Sequence, residues 1–343
     1  MPCSCRSADL LSNGSSRAPS TDEDSLDSSP DSGEKRKTLE RKESYNYCEC
    51  VLEREESVAG PPGFQTRKVR DEKMVFGIDK VLSGIVKYHQ TVRGGMLEQF
   101  KRVRDNPVPS VLMFTCMDSR MIPSRFTQSD VGEMFIVRNA GVLIPHYKYY
   151  GKEATITTEP GALELACVIN TVQDIIVCGH SDCKAMNLLQ SLKAENTPED
   201  TDFAHSPLRS WLMRYGGDSW VQFEKMLQSK KNRLVFMEGN HAYEAVIDAK
   251  NEFNMADKFS QVSTLHQLEN ITSYPFMQRL VDSGLVRLHA MWFDIYTGSI
   301  FYFNKPHKTF IEITEKNWDE FLNEKDREAL KKQQIFGLRN LVI

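Results

Sequence analysis

The sequence lacks any apolar run near the roughly 18 to 20 residues that a membrane-spanning helix needs, and no signal-type apolar core follows Met1. It also lacks an excess of charge: the net charge is −4 over 343 residues, which gives no general reason to expect nucleic-acid binding. Internal repeats are absent as well. These absences argue against a membrane-spanning, secreted or nucleic-acid-binding protein.

Cysteine is present in eight copies, but the spacing typical of a disulfide-rich protein is not. Cys167, Cys178 and Cys183 lie in or just after apolar runs, where free thiols are common. Together with the missing signal segment, this favours a reducing compartment in which thiols can bind metal. We therefore predict a cytoplasmic protein, with a mitochondrial location as the alternative.

Residues 1–74 differ in composition from the rest of the chain. Residues 15–33 are rich in Ser, Asp, Pro and Gly and have almost no large apolar side chains. Such a segment cannot bury enough surface to offset the entropy lost on ordering, so we predict a disordered N-terminal tail over 1–74 and a folded domain over 75–343. The tail also carries several acidic residues, whereas a mitochondrial presequence is poor in acid.

The folded part shows the alternation of strands and helices that indicates an α/β fold. Apolar residues recur at helical spacing over 78–86 and 96–103, so one or two N-terminal helices are expected to pack on a neighbouring surface. Further elements are predicted as strands at 111–116, 134–137 and 174–178, helices at 162–172 and 183–192, a mainly helical stretch at 207–255, and a strand pair at 285–293 and 299–303. The order predicts a mostly parallel central sheet flanked by helices.

Two short segments carry the chemistry: Cys116-Met117-Asp118-Ser119-Arg120 and His180-Ser181-Asp182-Cys183. Each follows an apolar strand-like run, so both are expected at the edge of the sheet where ligands bind in α/β proteins. Two thiolates and an imidazole suit Zn²⁺, and three protein ligands leave a fourth position open, as in catalytic zinc sites. The sequence therefore predicts a zinc enzyme.

These segments, with Val137-Arg138-Asn139-Ala140-Gly141 between them, resemble the β-class carbonic anhydrases. The animal branch is similar through residues 113–123 and through Trp292-Phe293-Asp294-Ile295-Tyr296-Thr297-Gly298. The resemblance covers about residues 77–315. It implies a carbonate dehydratase, a lyase that hydrates carbon dioxide reversibly to bicarbonate and a proton by attack of zinc-bound hydroxide. It also implies one Zn²⁺ per subunit and a homodimer or tetramer, with the N-terminal helices extending to a partner subunit.

By position, the resemblance makes Cys116, His180 and Cys183 the zinc ligands. It makes Asp118 and Arg120 a catalytic pair, in which the carboxylate either pairs with the guanidinium or binds zinc as a fourth ligand. In the paired state the arginine keeps the carboxylate ionised and oriented toward the metal-bound water. Phe135 and Ala140 match residues that line the small carbon dioxide pocket. Gly179 is assigned to the same pocket, and its missing side chain leaves room for close approach of another backbone.

Some residues are interpreted without a function, and two other functions stay open. Cys167 and Cys178 are expected in the core, and Asp174 and Lys184 as solvated charges. A related zinc hydrolase acting on carbonyl sulfide or carbon disulfide would use the same ligands. A non-catalytic zinc scaffold or thiol sensor would need neither Asp118 nor Arg120.

Overall fold

The computed structural model describes residues 77–151, 157–195, 198 and 205–322. The helices are α1 (Gly77–Thr91), α2 (Arg93–Arg104), α3 (Pro123–Phe126), α4 (Glu159–Leu163), α5 (Lys184–Ala194), α6 (Pro207–Gln228), α7 (Met255–Thr272) and α8 (Pro275–Asp282). The strands are β1 (Val111–Cys116), β2 (Met134–Asn139), β3 (Asp174–His180), β4 (Arg233–Glu238), β5 (His241–Val246), β6 (Arg287–Phe293), β7 (Ile300–Asn304) and β8 (Thr309–Glu312). The predicted tail over residues 1–74 lies outside the described residues.

Six strands form one mixed sheet in the order β2-β1-β3-β6-β7-β8. The first four are parallel, and β7 and β8 add an antiparallel edge. Strands β4 and β5 form a separate antiparallel hairpin. The predicted α/β fold with a mostly parallel central sheet is confirmed, as is the predicted late strand pair, which is antiparallel.

The inner strands are apolar along their whole length because both faces of the sheet are covered. In β1, Leu112 and Phe114 point into the main core, while Met113 points to the opposite face. In β3, Ile175 and Val177 share the main core in the same way, and Cys178 points to the other side. Helices α5, α6 and α7 pack over the main-core face, so the ends of β1 and β3 are held between fixed neighbours.

Helix α7 lies at the centre of the molecule, and fifteen of its eighteen residues are buried. It contacts β3, β4, β6, α5, α6 and α8. Many of its buried residues are polar, so they need hydrogen-bond partners inside the protein. Two of these bonds go to the end of β3 and the loop after it: the Ser260 hydroxyl donates to the His180 carbonyl at 2.8 Å, and Asp257 accepts from the Asp182 N–H at 2.7 Å.

Helix α1 presents an apolar stripe that no other described residue of the subunit buries. No residue of α1 is buried, and the predicted helical face is exposed. The exposed fractions of the face residues are 67% for Ile78, 55% for Val81, 54% for Leu82, 47% for Ile85 and 56% for Val86. The predicted helices in this region are confirmed. Among the described residues, no helix is both long enough and apolar enough to cross a membrane.

The prediction of a mainly helical stretch over residues 207–255 is wrong beyond the end of α6 at Gln228. A β-hairpin follows there, because the side chains of β4 alternate between buried and exposed. Its two strands are joined at Gly239, whose φ of +60° suits a residue without a side chain. The signal available in the sequence was the short apolar run Leu234-Val235-Phe236-Met237 followed by Gly239, because a run of this length before a glycine is typical of a strand that ends in a turn.

The helix predicted over residues 162–172 is displaced toward the N-terminus. It begins with α4 at Glu159, where Pro160 fits the first turn, and continues as a π-helical turn over Glu164–Ile169. Asn170 ends it by donating backbone and side-chain N–H groups to the Leu165 carbonyl, at 3.1 and 2.8 Å. Thr171 then takes a positive φ of 53°.

Asp174 is not the solvated charge that we predicted. It lies at the start of β3 beside Arg287, the first residue of β6, and accepts hydrogen bonds from Arg287 at 2.6 and 2.7 Å. A third contact, of 2.8 Å, joins it to His289. Burial alone would raise the pKa of Asp174, but these partners lower it to about 2. The prediction failed because the partners lie more than a hundred residues away in the sequence.

Candidate metal centre

The two predicted ligand segments meet at the carboxyl edge of the sheet. Cys116 is the last residue of β1 and His180 the last residue of β3, and these two parallel strands are neighbours. Cys183 follows three residues later and stands at the beginning of α5. Because parallel strands end at the same edge, three side chains from two distant segments come together as predicted.

The geometry of the three side chains fits a tetrahedral metal site. Their ligand atoms lie within 4.8 Å of one another, and the Cys116 and Cys183 sulfurs are 3.9 Å apart. A tetrahedral zinc with Zn–S bonds of about 2.3 Å would place two sulfurs about 3.8 Å apart. All three residues are at least 97% buried, so very little of their surface is in contact with water.

The imidazole of His180 is oriented for binding through Nε2. Its Nδ1 lies 2.8 Å from the Ser181 carbonyl oxygen, which only an N–H can satisfy. Nε2 is therefore left with a free lone pair, and it is buried with no hydrogen-bond partner among the described residues. An unpaired buried nitrogen is costly unless something binds it, so this atom indicates a missing ligand.

Backbone N–H groups favour ionised sulfur at both cysteines. Cys183 and the N–H of Gly141 hydrogen-bond to Cys116 and lower the pKa of its thiol to about 4, although burial opposes the shift. The hydrogen bond with Cys116 and burial raise the pKa of the Cys183 thiol well above its usual value, although the backbone N–H groups of Ala185 and Met186 oppose the shift. One of the two sulfurs is therefore held as a thiolate beside a protonated partner, and because metals bind thiolates, a cation bound here would displace the remaining proton.

The other two buried cysteines of the sheet region behave differently. Burial raises the pKa of Cys167 and of Cys178 to about 12, so both stay protonated near neutral pH. Both are buried, Cys178 in the sheet and Cys167 in the π-helical turn. The prediction that they belong to the core is confirmed.

Asp118 and Arg120 form the predicted pair. Arg120 donates to both carboxylate oxygens, from Nε to Oδ1 at 2.9 Å and from Nη2 to Oδ2 at 2.7 Å. The hydrogen bonds from Arg120 lower the pKa of Asp118 to about 2. The carboxylate is therefore ionised at any pH near neutral, and its two oxygens are held in one orientation.

Two further residues hold the loop after β1, and the sequence analysis assigned no role to either. Arg138 donates to the Cys116 carbonyl at 2.9 Å and to the Asp118 carbonyl at 2.7 Å. Asp182 accepts from Arg120 through its side chain at 2.9 Å. Both residues belong to the segments that carry the family resemblance. Their position at the carboxyl edge of the sheet was therefore the sequence signal that could have identified them.

Of the three residues assigned to the pocket, Ala140 and Gly179 lie at this edge, whereas Phe135 lies near the amino end of β2. Phe135 is partly buried in β2 opposite Leu112, and Ala140 follows β2, with its carbonyl accepting from the Trp211 indole at 2.9 Å. A Cβ atom at Gly179 would lie 2.1 Å from the Thr264 hydroxyl of α7, so glycine is required there for helix packing. That these residues line a carbon dioxide pocket stays a prediction.

Comparison with known proteins gives a consistent group of relatives. Residues 111–300 match a family model described as Carbonic anhydrase. Beta carbonic anhydrase 1 of Caenorhabditis briggsae is 41% identical over 244 residues, which cover 70% of this chain and 89% of the relative. Beta carbonic anhydrase 1 of Caenorhabditis elegans is 41% identical over 252 residues, covering 72% and 92%.

A solved structure agrees at the level of the fold. The structure of the beta-carbonic anhydrase CcaA matches with a TM-score of 0.53 at 24% identity, covering 69% of this chain and 99% of that one. The match supports the arrangement of sheet and helices that brings Cys116, His180 and Cys183 together.

Proposed function

This chain belongs to the β class of the carbonic anhydrase family, and we propose that Cys116, His180 and Cys183 hold the zinc ion with which it works. It is a carbonate dehydratase, a lyase that catalyses the reversible hydration of carbon dioxide to bicarbonate and a proton. Two thiolates and an imidazole are soft and borderline donors, which match Zn²⁺ better than magnesium or calcium.

The observation that carries the zinc proposal is the unpaired Nε2 of His180. It is buried, its tautomer is set by the Ser181 carbonyl, and two sulfurs at zinc-compatible spacing lie beside it. Three protein ligands leave one position of a tetrahedral metal for a small molecule. Zinc bound there would supply a Lewis acid that turns water into a nucleophile near neutral pH, an effect best known from the unrelated three-histidine carbonic anhydrases.

Asp118 and Arg120 supply the orienting groups. The Asp118 carboxylate is ionised and can only accept hydrogen bonds, so a water beside it is held with one hydrogen toward Asp118 and a lone pair directed away. Arg120 fixes the carboxylate plane through two hydrogen bonds. A structural zinc site has no use for such a pair, and its presence therefore favours catalysis over a scaffold or thiol sensor.

Stopped-flow measurement of carbon dioxide hydration on zinc-loaded protein tests the function. We expect saturable activity that disappears on chelation and returns when one equivalent of Zn²⁺ is added. Hydrolysis of carbonyl sulfide and carbon disulfide is measured on the same preparation. Hydrolysis of these sulfur compounds without hydration of carbon dioxide would overturn the assignment of substrate, and full activity without metal would overturn the zinc site.

We further propose a homodimer in which α1 packs on the partner subunit. The support is the exposed stripe of Ile78, Val81, Leu82, Ile85 and Val86, because an apolar helix face of this size is normally covered. Light scattering should give the dimer mass. Leu82→Glu combined with Val86→Glu should shift it to the monomer mass, whereas Lys80→Glu combined with Lys87→Glu, outside the stripe, should leave it unchanged.

The cytoplasm is the proposed location, supported by the free thiols and by the acidic residues of the N-terminal segment, which a mitochondrial presequence would lack. Fractionation of cells that express the full chain tests it. Recovery of the protein in mitochondria, shortened at its N-terminus, would contradict the proposal.

A further inference from the structure

Asp182 stands between two of the metal-binding residues and contacts Arg120 with two different groups. Its carboxylate Oδ2 accepts from Arg120 Nη1 at 2.9 Å, and its backbone carbonyl accepts from Arg120 Nη2 at 3.0 Å. Arg120 thereby joins the loop after β1 to the loop after β3. The family assignment gives Asp182 no role of its own.

Asp118 and Asp182 bind different edges of the same guanidinium. Asp118 uses the edge formed by Nε and Nη2, and Asp182 uses the end formed by Nη1 and Nη2. A guanidinium has five N–H bonds, and the four contacts can each use a separate one. Asp182 therefore holds Arg120 without competing with Asp118 for its protons.

Asp182 is itself fixed by the helices behind it. Its N–H donates to Asp257 at the start of α7 at 2.7 Å. Its second carboxylate oxygen accepts from Asn187 at 3.2 Å and from Lys184 at 2.8 Å. Its φ of +48° is a left-handed conformation that Asn and Gly also tolerate. Asp182 thus gives Arg120 an anchor that does not move with Asp118.

Arg120 needs such an anchor because it is 41% exposed. A long, exposed side chain with a single partner loses much conformational entropy when it forms an ion pair. The pair itself stabilises the protein only slightly, because it is exposed to solvent. We propose that Asp182 is a positioning residue for the reaction. By holding the guanidinium at its far end, it keeps Asp118 turned toward Arg120 and away from the metal ligands. This inference rests on the proposed function.

Two substitutions distinguish the contribution of the Asp182 side chain from that of its backbone. Asp182→Gly keeps the left-handed φ and removes the side chain, whereas Asp182→Asn keeps φ and one oxygen acceptor. We expect Asp182→Gly to retain its zinc and thermal midpoint but to lose roughly 10-fold to 100-fold in kcat/KM, as for other residues that orient a metal site. Asp182→Asn should recover part of that loss. Asp174→Asn is the matched control, because it weakens an Asp–Arg pair at the opposite end of β3 and leaves every contact of Asp182 and Arg120 intact.

Two spectroscopic measurements report on the contact between Asp182 and Arg120 independently of activity. In the metal-free protein, the Arg120 Nη protons should give separate NMR signals because four N–H groups are held, and Asp182→Gly should merge them. With Co²⁺ in place of zinc, the visible spectrum of Asp182→Gly should shift toward that of a site with an added carboxylate ligand.

The results distinguish a positioning role from a plain structural one. Parental kcat/KM and parental Arg120 signals in Asp182→Gly would overturn the proposal. Loss of zinc and thermal midpoint in proportion to activity, without rescue by Asp182→Asn, would also overturn it, as would an equal loss of activity in Asp174→Asn. If the parent protein itself failed to hydrate carbon dioxide, the proposed function would be wrong, and the NMR comparison would still decide whether Asp182 holds Arg120.

Discussion

Replacing Arg120 with alanine tests whether the pair with Asp118 serves catalysis or stability. The substitution removes both side-chain hydrogen bonds to the Asp118 carboxylate and both contacts to Asp182, and leaves the bond of 2.9 Å from the backbone N–H of residue 120 to Asp118 Oδ1. Asp118 then loses the partner that keeps it turned away from the metal ligands. We expect it to bind the metal in the open position at neutral pH, which lowers activity roughly 10-fold to 100-fold.

The expected cost in stability is small and can be estimated from the pKa of Asp118. The pKa is about 2 in the folded protein against an ordinary value of 3.8. A depressed carboxyl pKa stabilises the fold above about pH 4, and this stabilisation is lost as pH falls through about 2. The shift corresponds to at most about 2.5 kcal/mol, and solvent screening of the exposed Arg120 reduces it to about 1 kcal/mol.

A change of about 1 kcal/mol would lower the thermal midpoint by only about 2 to 4 °C, so the variant should be folded during the assay. Activity of Arg120→Ala should recover as pH rises, because hydroxide then competes better with the carboxylate for zinc. Asp118→Asn should keep zinc but stay slow at every pH, since an amide cannot replace the ionised acceptor. The assay is the pH dependence of kcat/KM by stopped flow. Profiles of Arg120→Ala that match the parent in level and shape would refute the orienting role.

Three further predictions address the ligands, the N-terminal segment and the packing of α7. Cys116→Ser, His180→Ala and Cys183→Ser should each lose zinc and activity together, whereas Cys167→Ser should keep both; elemental analysis showing full zinc in a ligand variant would contradict the assignment. A chain that begins at Lys73 should hydrate carbon dioxide at the parental rate with an unchanged thermal midpoint, and loss of folding would show that the removed residues are structural. Gly179→Ala should destabilise the protein by about 1 to 3 kcal/mol in denaturant unfolding, because its Cβ would lie 2.1 Å from the Thr264 hydroxyl, and adding Thr264→Ala should restore most of the loss.

Much of the sheet could be predicted because its signals are local. The apolar runs of β1 and β3 end at the chemical motifs, and parallel pairing then brings Cys116, His180 and Cys183 together. The paired contact of Arg120 with Asp118 was also predicted, and it joins residues only two positions apart.

The structural features that the sequence analysis did not predict depend on residues far apart in the chain or on segments whose apolar residues show weak periodicity. Helix α7 is buried on nearly every side, so its sequence carries no apolar stripe to mark a face. The contact of Arg120 with Asp182 spans sixty-two positions and depends on how two loops are placed by their strands. The same reason explains why Asp174 was taken for a solvated charge.

The burial of α7 has a consequence for the time at which zinc can be acquired. Asp257, Ser260 and Thr264 of this helix contact Asp182, His180 and Gly179 in turn. During translation, all the residues of the metal centre leave the ribosome before α7 does. The segment that carries His180 and Cys183 therefore lacks its contacts with α7 until this helix, which ends at Thr272, has been synthesised. Zinc loading then becomes a late step of biogenesis, and a nascent chain stalled before α7 would retain zinc poorly although it holds every ligand.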